Sequence, residues 1–81
     1  MNNTKKVQLL YYFTEYTIEY GLDVERKNNA KKTIDMFIEE WTENFNDKDY
    51  FDRDELPMFA ESLEDLEKAK KYLYEILGVQ I

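Results

Sequence analysis

With 81 residues, 43% of them hydrophobic and 16% aromatic, the chain carries too much apolar matter to stay disordered, while 36% charged residues and a formal net charge of -7 keep it soluble. It contains neither Cys nor His, which excludes a disulfide framework, a thiolate metal site, a thiol nucleophile and the commonest general base. No apolar run approaches the roughly 18 residues of a membrane span, and MNNTKK followed by VQLLYYF and then Thr14 and Glu15 lacks the pattern of a secretory signal.

The expectation is therefore one acidic, cytoplasmic domain over residues 1–81. Gly, Pro and Ser are scarce, and no internal repeat or low-complexity tract divides the chain.

The first element is VQLLYYFTEYTIEY, Val7 to Tyr20, closed by Gly21. At about 100° per residue, Leu9, Phe13, Tyr16 and Tyr20 share one face, flanked by Leu10, Tyr12 and Thr17. Val7, Tyr11 and Ile18 form a second stripe on nearly the opposite side, leaving Gln8, Glu15 and Glu19 as a narrow polar strip. This predicts a helix from an N-cap at Thr4 to Tyr20, with Gly21 in the left-handed conformation. Two apolar sides place it at the bundle centre or at a subunit contact. A strand is disfavoured because alternation fails through LLYYF and no hairpin turn follows.

Leu22 and Asp23 suffice for a tight connection, with Asp23 as the N-cap of a second, antiparallel helix. There Ala30, Ile34, Phe37, Ile38, Trp41 and Phe45 fall at offsets 0, 4, 7, 8, 11 and 15, one apolar stripe. Arg26 and Lys27 would border or enter that stripe, so the first turns overhang the core or bend near Asn28-Asn29. Met36 lies outside it.

Residues 44–55 read as an acidic connection in which Tyr50 and Phe51 can anchor. Leu56, Phe59, Ala60 and Leu63 have helical spacing, predicting a short further helix capped by Asp52 or Asp54, with Pro57 in its first turn. Ser62 and Asp65 resemble a capping box opening the last helix, whose buried face is Leu66, Ala69, Leu73, Ile76 and Leu77. Gly78 and Val79 read as a Schellman end. The fold class is all-α: a small compact bundle of three main helices plus a short fourth.

Charge is unevenly spread. Residues 35–55 hold nine acids (Asp35, Glu39, Glu40, Glu43, Asp47, Asp49, Asp52, Asp54 and Glu55) against Lys48 and Arg53, so this stretch alone carries the chain's whole net charge of -7. Asp35, Glu39 and Glu43 recur at i, i+4 and i+8, a spacing that destabilises a helix by a few tenths of a kcal/mol per pair. Three readings compete: a solvated face, a docking surface for a basic partner, and a cation site. Docking fits a patch of one sign, which steers encounter and sets register, and carboxylates some 5–6 Å apart on a helix resemble the phosphates of a nucleic acid. The cation reading, on Asp47, Asp49, Asp52 and Asp54, fits an EF-hand poorly: counted from Asp47, the sixth position is Asp52 rather than Gly and the twelfth Met58 rather than Glu. No metal and no cofactor is expected.

Arg26, Lys27, Lys31 and Lys32 are interrupted by two Asn and flanked by Asp23 and Glu25, which argues against direct nucleic-acid binding; Lys31 and Asp35 are suited to an i,i+4 ion pair. Of seven tyrosines, most read as packing; Tyr11 and Tyr12 are the better interface candidates. Exposed Met36 would be a weaker hint of the same kind. No Gly-rich phosphate loop, nucleophile–His pair or Glu-x-x-His motif exists, so catalysis has no foothold.

In size, charge and helix count the chain resembles nuclease-immunity proteins and small phage-encoded inhibitors of host defence; no binding residue is carried over from that resemblance. The expected function is a non-enzymatic, inhibitory module that contacts a basic partner protein, a nucleic-acid-binding protein being one candidate, through the nine acids and Tyr50. The alternative is a structural homodimer assembled through Val7, Tyr11 and Ile18, as closed two-fold oligomers commonly are.

Overall fold

The apolar stripe of the second helix is the axis of the fold. In the computed structural model, which describes residues 2–47 and 57–79, three helices form: α1 (Asn3–Tyr20), α2 (Lys27–Asn46) and α3 (Leu63–Ile76). From α2, Ala30, Ile34, Phe37 and Ile38 are all buried; α1 adds Leu9 and Phe13, and α3 adds Leu66, Ala69, Leu73 and Tyr74. Among the described residues there is no strand, and no helix is long and apolar enough to cross a membrane.

The helix ends are set by local chemistry. The Asn2 side chain, not Thr4, caps α1 by accepting the Lys5 N–H at 2.8 Å, so the helix begins one turn earlier than its apolar stripe. At the other end Gly21 sits at φ 63°, with the Gly21 and Leu22 N–H groups bonded to the Ile18 and Thr17 carbonyls, a Schellman arrangement. Gly78 and Val79 repeat it on α3, the Val79 N–H reaching the Tyr74 carbonyl at 2.8 Å.

Asp23 does not cap α2. Its Oδ1 accepts the Glu25 N–H at 2.8 Å in a local turn, Val24 packs on the core, and the helix starts only after Arg26. The delay has a physical cause, since a helix opened at Asp23 would carry Arg26 round to the apolar face. Helix α2 then begins with its stripe already in register.

The short fourth helix is not found among the described residues. Pro57 to Ala60 form a turn closed by the Ala60 N–H on the Pro57 carbonyl at 3.3 Å, while Asp52 and Asp54 lie outside the described residues. Phe59 and Ala60 are both fully buried, yet Leu63 is 46% exposed, so the helical spacing of these residues does not make one buried face. The chain breaks at Ser62, whose extended backbone and Oγ, accepting the Asp65 N–H at 3.3 Å, open α3. Within α3, Ile76, expected on the buried face, is exposed, and Tyr74, not expected there, is buried.

Helix α1 is not central. Val7, Tyr11 and Ile18 are 63%, 61% and 70% exposed, and Tyr20, expected on the core face, is also exposed. The helix docks through one face, with Leu9 and Phe13 buried and Tyr12 and Tyr16 packed beside them. Lys5 and Lys6, disfavoured by the helix dipole, turn to α3 instead: Lys5 Nζ lies 3.4 Å from an Asp65 oxygen, and Lys6 Nζ lies 5.1 Å from the centre of the Tyr72 ring.

Candidate functional site

Helix α2 turns its stripe inward and therefore turns its acids outward. Glu39, Glu40, Glu43 and Asp47 are exposed along this outer ridge, and Met36 is 49% exposed on the same helix. Glu39 and Glu43 form no ion pair with any described residue. Asp49, Tyr50, Asp52, Asp54 and Glu55, expected to extend the surface, lie outside the described residues.

Asp35 is used differently. Its carboxylate accepts a hydrogen bond from the Tyr74 hydroxyl and one from Lys31 Nζ at 2.9 Å, with Lys70 Nζ 3.9 Å away. Partial desolvation pulls the carboxyl pKa up, but the bonds from Tyr74 and Lys31 and the charges of Lys31 and Lys70 outweigh it and hold the group below the ordinary carboxylate range. Asp35 thus ties α2 to α3 and is not part of the outward array.

The ridge borders a groove between α1 and α2 that is not evident from the sequence. Its volume is about 190 Å³, and it is lined by Tyr12, Glu15, Tyr16, Glu19 and Tyr20 from α1 and by Phe37, Glu40, Trp41 and Asn44 from α2. The aromatic walls brace one another. Tyr12 meets Trp41 edge-on at 5.8 Å, and Tyr16 meets Phe37 at 5.3 Å and Tyr20 at 4.9 Å between ring centres. Tyr12, expected as an interface residue, is instead half-buried against Trp41 and Phe59; Tyr11 alone of that pair faces solvent. Burial pushes the Tyr16 hydroxyl pKa up, and the nearby Glu40 carboxylate and Tyr20 push it further.

Glu15 and Glu19 read in the sequence as a narrow polar strip of α1, Glu40 as one of the acids of residues 35–55, and Asn44 as the start of the acidic connection; the structure places Asn44 within α2. Each pair shows only i,i+4 spacing; what brings the pairs together is the rotation of one helix against the other. Among the described residues no three acidic side chains converge closely enough to hold a metal ion.

No protein-family model, curated protein or solved structure matches this chain.

Proposed function

We propose that this chain is a non-enzymatic protein-binding module whose acidic ridge occupies a basic surface of a partner protein, in the manner of an inhibitor. A nucleic-acid-binding protein is the partner class this chemistry fits best, because its own ligand presents a closely spaced array of negative charge. On this reading it is an inhibitor of the immunity-protein or phage counter-defence type.

The observation that carries the reading is the outward charge of Glu39 and Glu43, unpaired among the described residues. Asp35, one turn away, is engaged by Lys31 and Lys70. Like charges at i,i+4 cost stability, and a partner's cations would offset that cost on docking.

The test is capture of a basic protein from the native host, followed by the same capture with Glu39→Gln, Glu43→Gln and Asp47→Asn combined. All three positions are exposed, so the helical circular dichroism should be unchanged. The combined variant should lose the captured protein, and the wild-type chain should displace DNA or RNA from it. Undiminished capture by the variant would overturn the reading.

A second reading is assembly of two copies through α1. It is favoured by Val7, Tyr11 and Ile18, which leave an apolar stripe 61–70% exposed; residues of this kind are those a two-fold interface buries. Light scattering across a concentration series decides it. A dimer that Tyr11→Glu converts to monomer supports assembly, and a concentration-independent monomer removes it.

A further inference from the structure

We propose that the groove between α1 and α2 is the anchor pocket for an arginine side chain of the partner protein. This inference rests on the reading of the chain as a protein-binding module and names the contact that would fix its register.

The groove joins two features that together select an organic cation. Glu15, Glu19 and Glu40 rim it from two helices, and among the described residues that line it there is no Lys or Arg. Its walls are rings, among them Tyr12, Tyr16 and Trp41. A cation over an aromatic face is attracted by the ring quadrupole, and the attraction grows as water is excluded. The Tyr16 hydroxyl pKa is raised by burial first and by the Glu40 charge next, which places that carboxylate near the ring.

Spacing selects the kind of cation. No three acidic side chains among the described residues come close enough to grip a metal ion, so the rim does not form a metal cage. A guanidinium is planar and delocalised, stacks on rings, is weakly hydrated and presents five donors, so it can bond a carboxylate on its edge while its face lies on a tyrosine. An ammonium holds its water more tightly and has no face to stack. Size agrees: about 190 Å³ suits one side chain and falls short of the roughly 300–1,000 Å³ typical of small-molecule sites. The rings already brace one another, so little side-chain freedom remains to be lost on binding.

Trp41 is the chain's only tryptophan, and it lines this groove, so it reports occupancy directly. The full chain is titrated with a flexible Gly-Ser peptide carrying three arginines and with counterparts carrying three lysines or three citrullines. Trp41 fluorescence and the shifts of the Trp41 indole and Asn44 amide groups are followed. The arginine peptide should move both probes, the lysine peptide should bind at least about threefold more weakly, and the uncharged citrulline peptide should move neither.

Glu40→Gln should weaken the arginine peptide about five- to tenfold, and Glu75→Gln, the same charge change at an exposed position of α3 away from both groove and ridge, by about twofold or less. Equal effects of the two substitutions, or equal affinity for lysine and arginine, would overturn the pocket. So would shifts confined to the Glu39, Glu43 and Asp47 amides, an outcome that leaves the acidic-module reading standing. Absence of binding by all three peptides removes the pocket; failure to capture any basic protein from the host removes the module reading separately.

Discussion

The Tyr74 hydroxyl donates its hydrogen to the Asp35 carboxylate, joining the last two turns of α3 to the middle of α2. Tyr74 is only 5% exposed, so its polar tip needs a partner inside the fold, and Asp35 supplies it while itself held by Lys31 and Lys70. Removing the hydroxyl by Tyr74→Phe leaves the ring packing in place and should cost about 1–2 kcal/mol. Asp35→Ala, which removes the acceptor together with the ion pairs to Lys31 and Lys70, should cost at least as much, and the double variant less than the sum, since both single variants remove the same bond. Urea unfolding of the four proteins measures this; strict additivity would show that the bond contributes nothing.

The same pair sets the pH limits of the fold. Burial first, then the bond to Asp35 and its charge, push the Tyr74 pKa from 10.0 up to about 12. A folded-state pKa above the unfolded one contributes stability that is complete below pH 10.0 and is lost as pH rises towards about 12. On the acid side the carboxyls of Asp35 and Asp65 titrate below their ordinary 3.8. For Asp65 the largest cause is the hydrogen bond from the Glu61 N–H. Depressed values contribute stability that is present above 3.8 and lost as pH falls through the folded-state values. Absorbance at high pH should therefore include a tyrosine that ionises at about 12 and that Tyr74→Phe removes, and the same variant should flatten the alkaline fall in thermal midpoint.

Gly21 isolates backbone strain from packing. It lies at φ +63°, and a Cβ added there would meet nothing within 4 Å, so Gly21→Ala costs conformational strain alone, about 1–2 kcal/mol. Gly21→Asn should cost less, because asparagine tolerates the left-handed region. Denaturant midpoints of the two variants test the ordering; an alanine as stable as glycine would mean that the Schellman turn is not held in the native state.

These particulars mark what the sequence discloses. The stripe of α2 is legible because six apolar residues keep a helical period over most of its 20 residues. The start of α3 is legible because Ser62 and Asp65 are both capping chemistry. Helix α1 is ambiguous because tyrosine suits either a core or a rim, and the burial of Tyr12 with the exposure of Tyr20 depends on where Phe59 and Trp41 arrive. The acidic ridge of α2 follows directly from its period. The groove beside it does not, because Glu15 and Glu40 meet only through tertiary packing, to which single-helix periodicity is blind. Asp35 shows the converse, a carboxylate that belongs by spacing to the ridge and by contact to the interior network.

Phe59 comes from a turn rather than a helix, yet it joins the two halves of the aromatic core. It is fully buried, with ring centres of Tyr12, Trp41 and Phe37 at 5.2, 5.6 and 5.8 Å. Truncation to alanine in such a site costs about 3–5 kcal/mol, a large share of the roughly 5–15 kcal/mol that small domains possess. Phe59→Ala should unfold at room temperature or lose its cooperative transition, whereas Phe59→Leu should remain folded with a lower midpoint. Trp41 emission should shift to the red in both, and further in the alanine variant. A Trp41 spectrum unchanged by either substitution would contradict this packing.

The acidic ridge should oppose stability to binding. Glu39 and Glu43 repel at i,i+4, as do Glu43 and Asp47, each pair at a cost of about 0.2–0.5 kcal/mol. Glu43 belongs to both pairs, so Glu43→Gln should raise the thermal midpoint by about 1–4 °C at low salt, and Glu43→Lys by more. The gain should shrink as ionic strength rises and the Debye length shortens to about 8 Å at physiological salt. If the ridge is the docking surface, the same substitutions should slow association with the basic partner, and the lysine variant should do so most. Calorimetry on the isolated chain and stopped-flow association with the captured partner measure the two sides. A ridge whose neutralisation stabilises the fold without slowing association serves solubility alone, because steering by charge acts first on the rate of encounter.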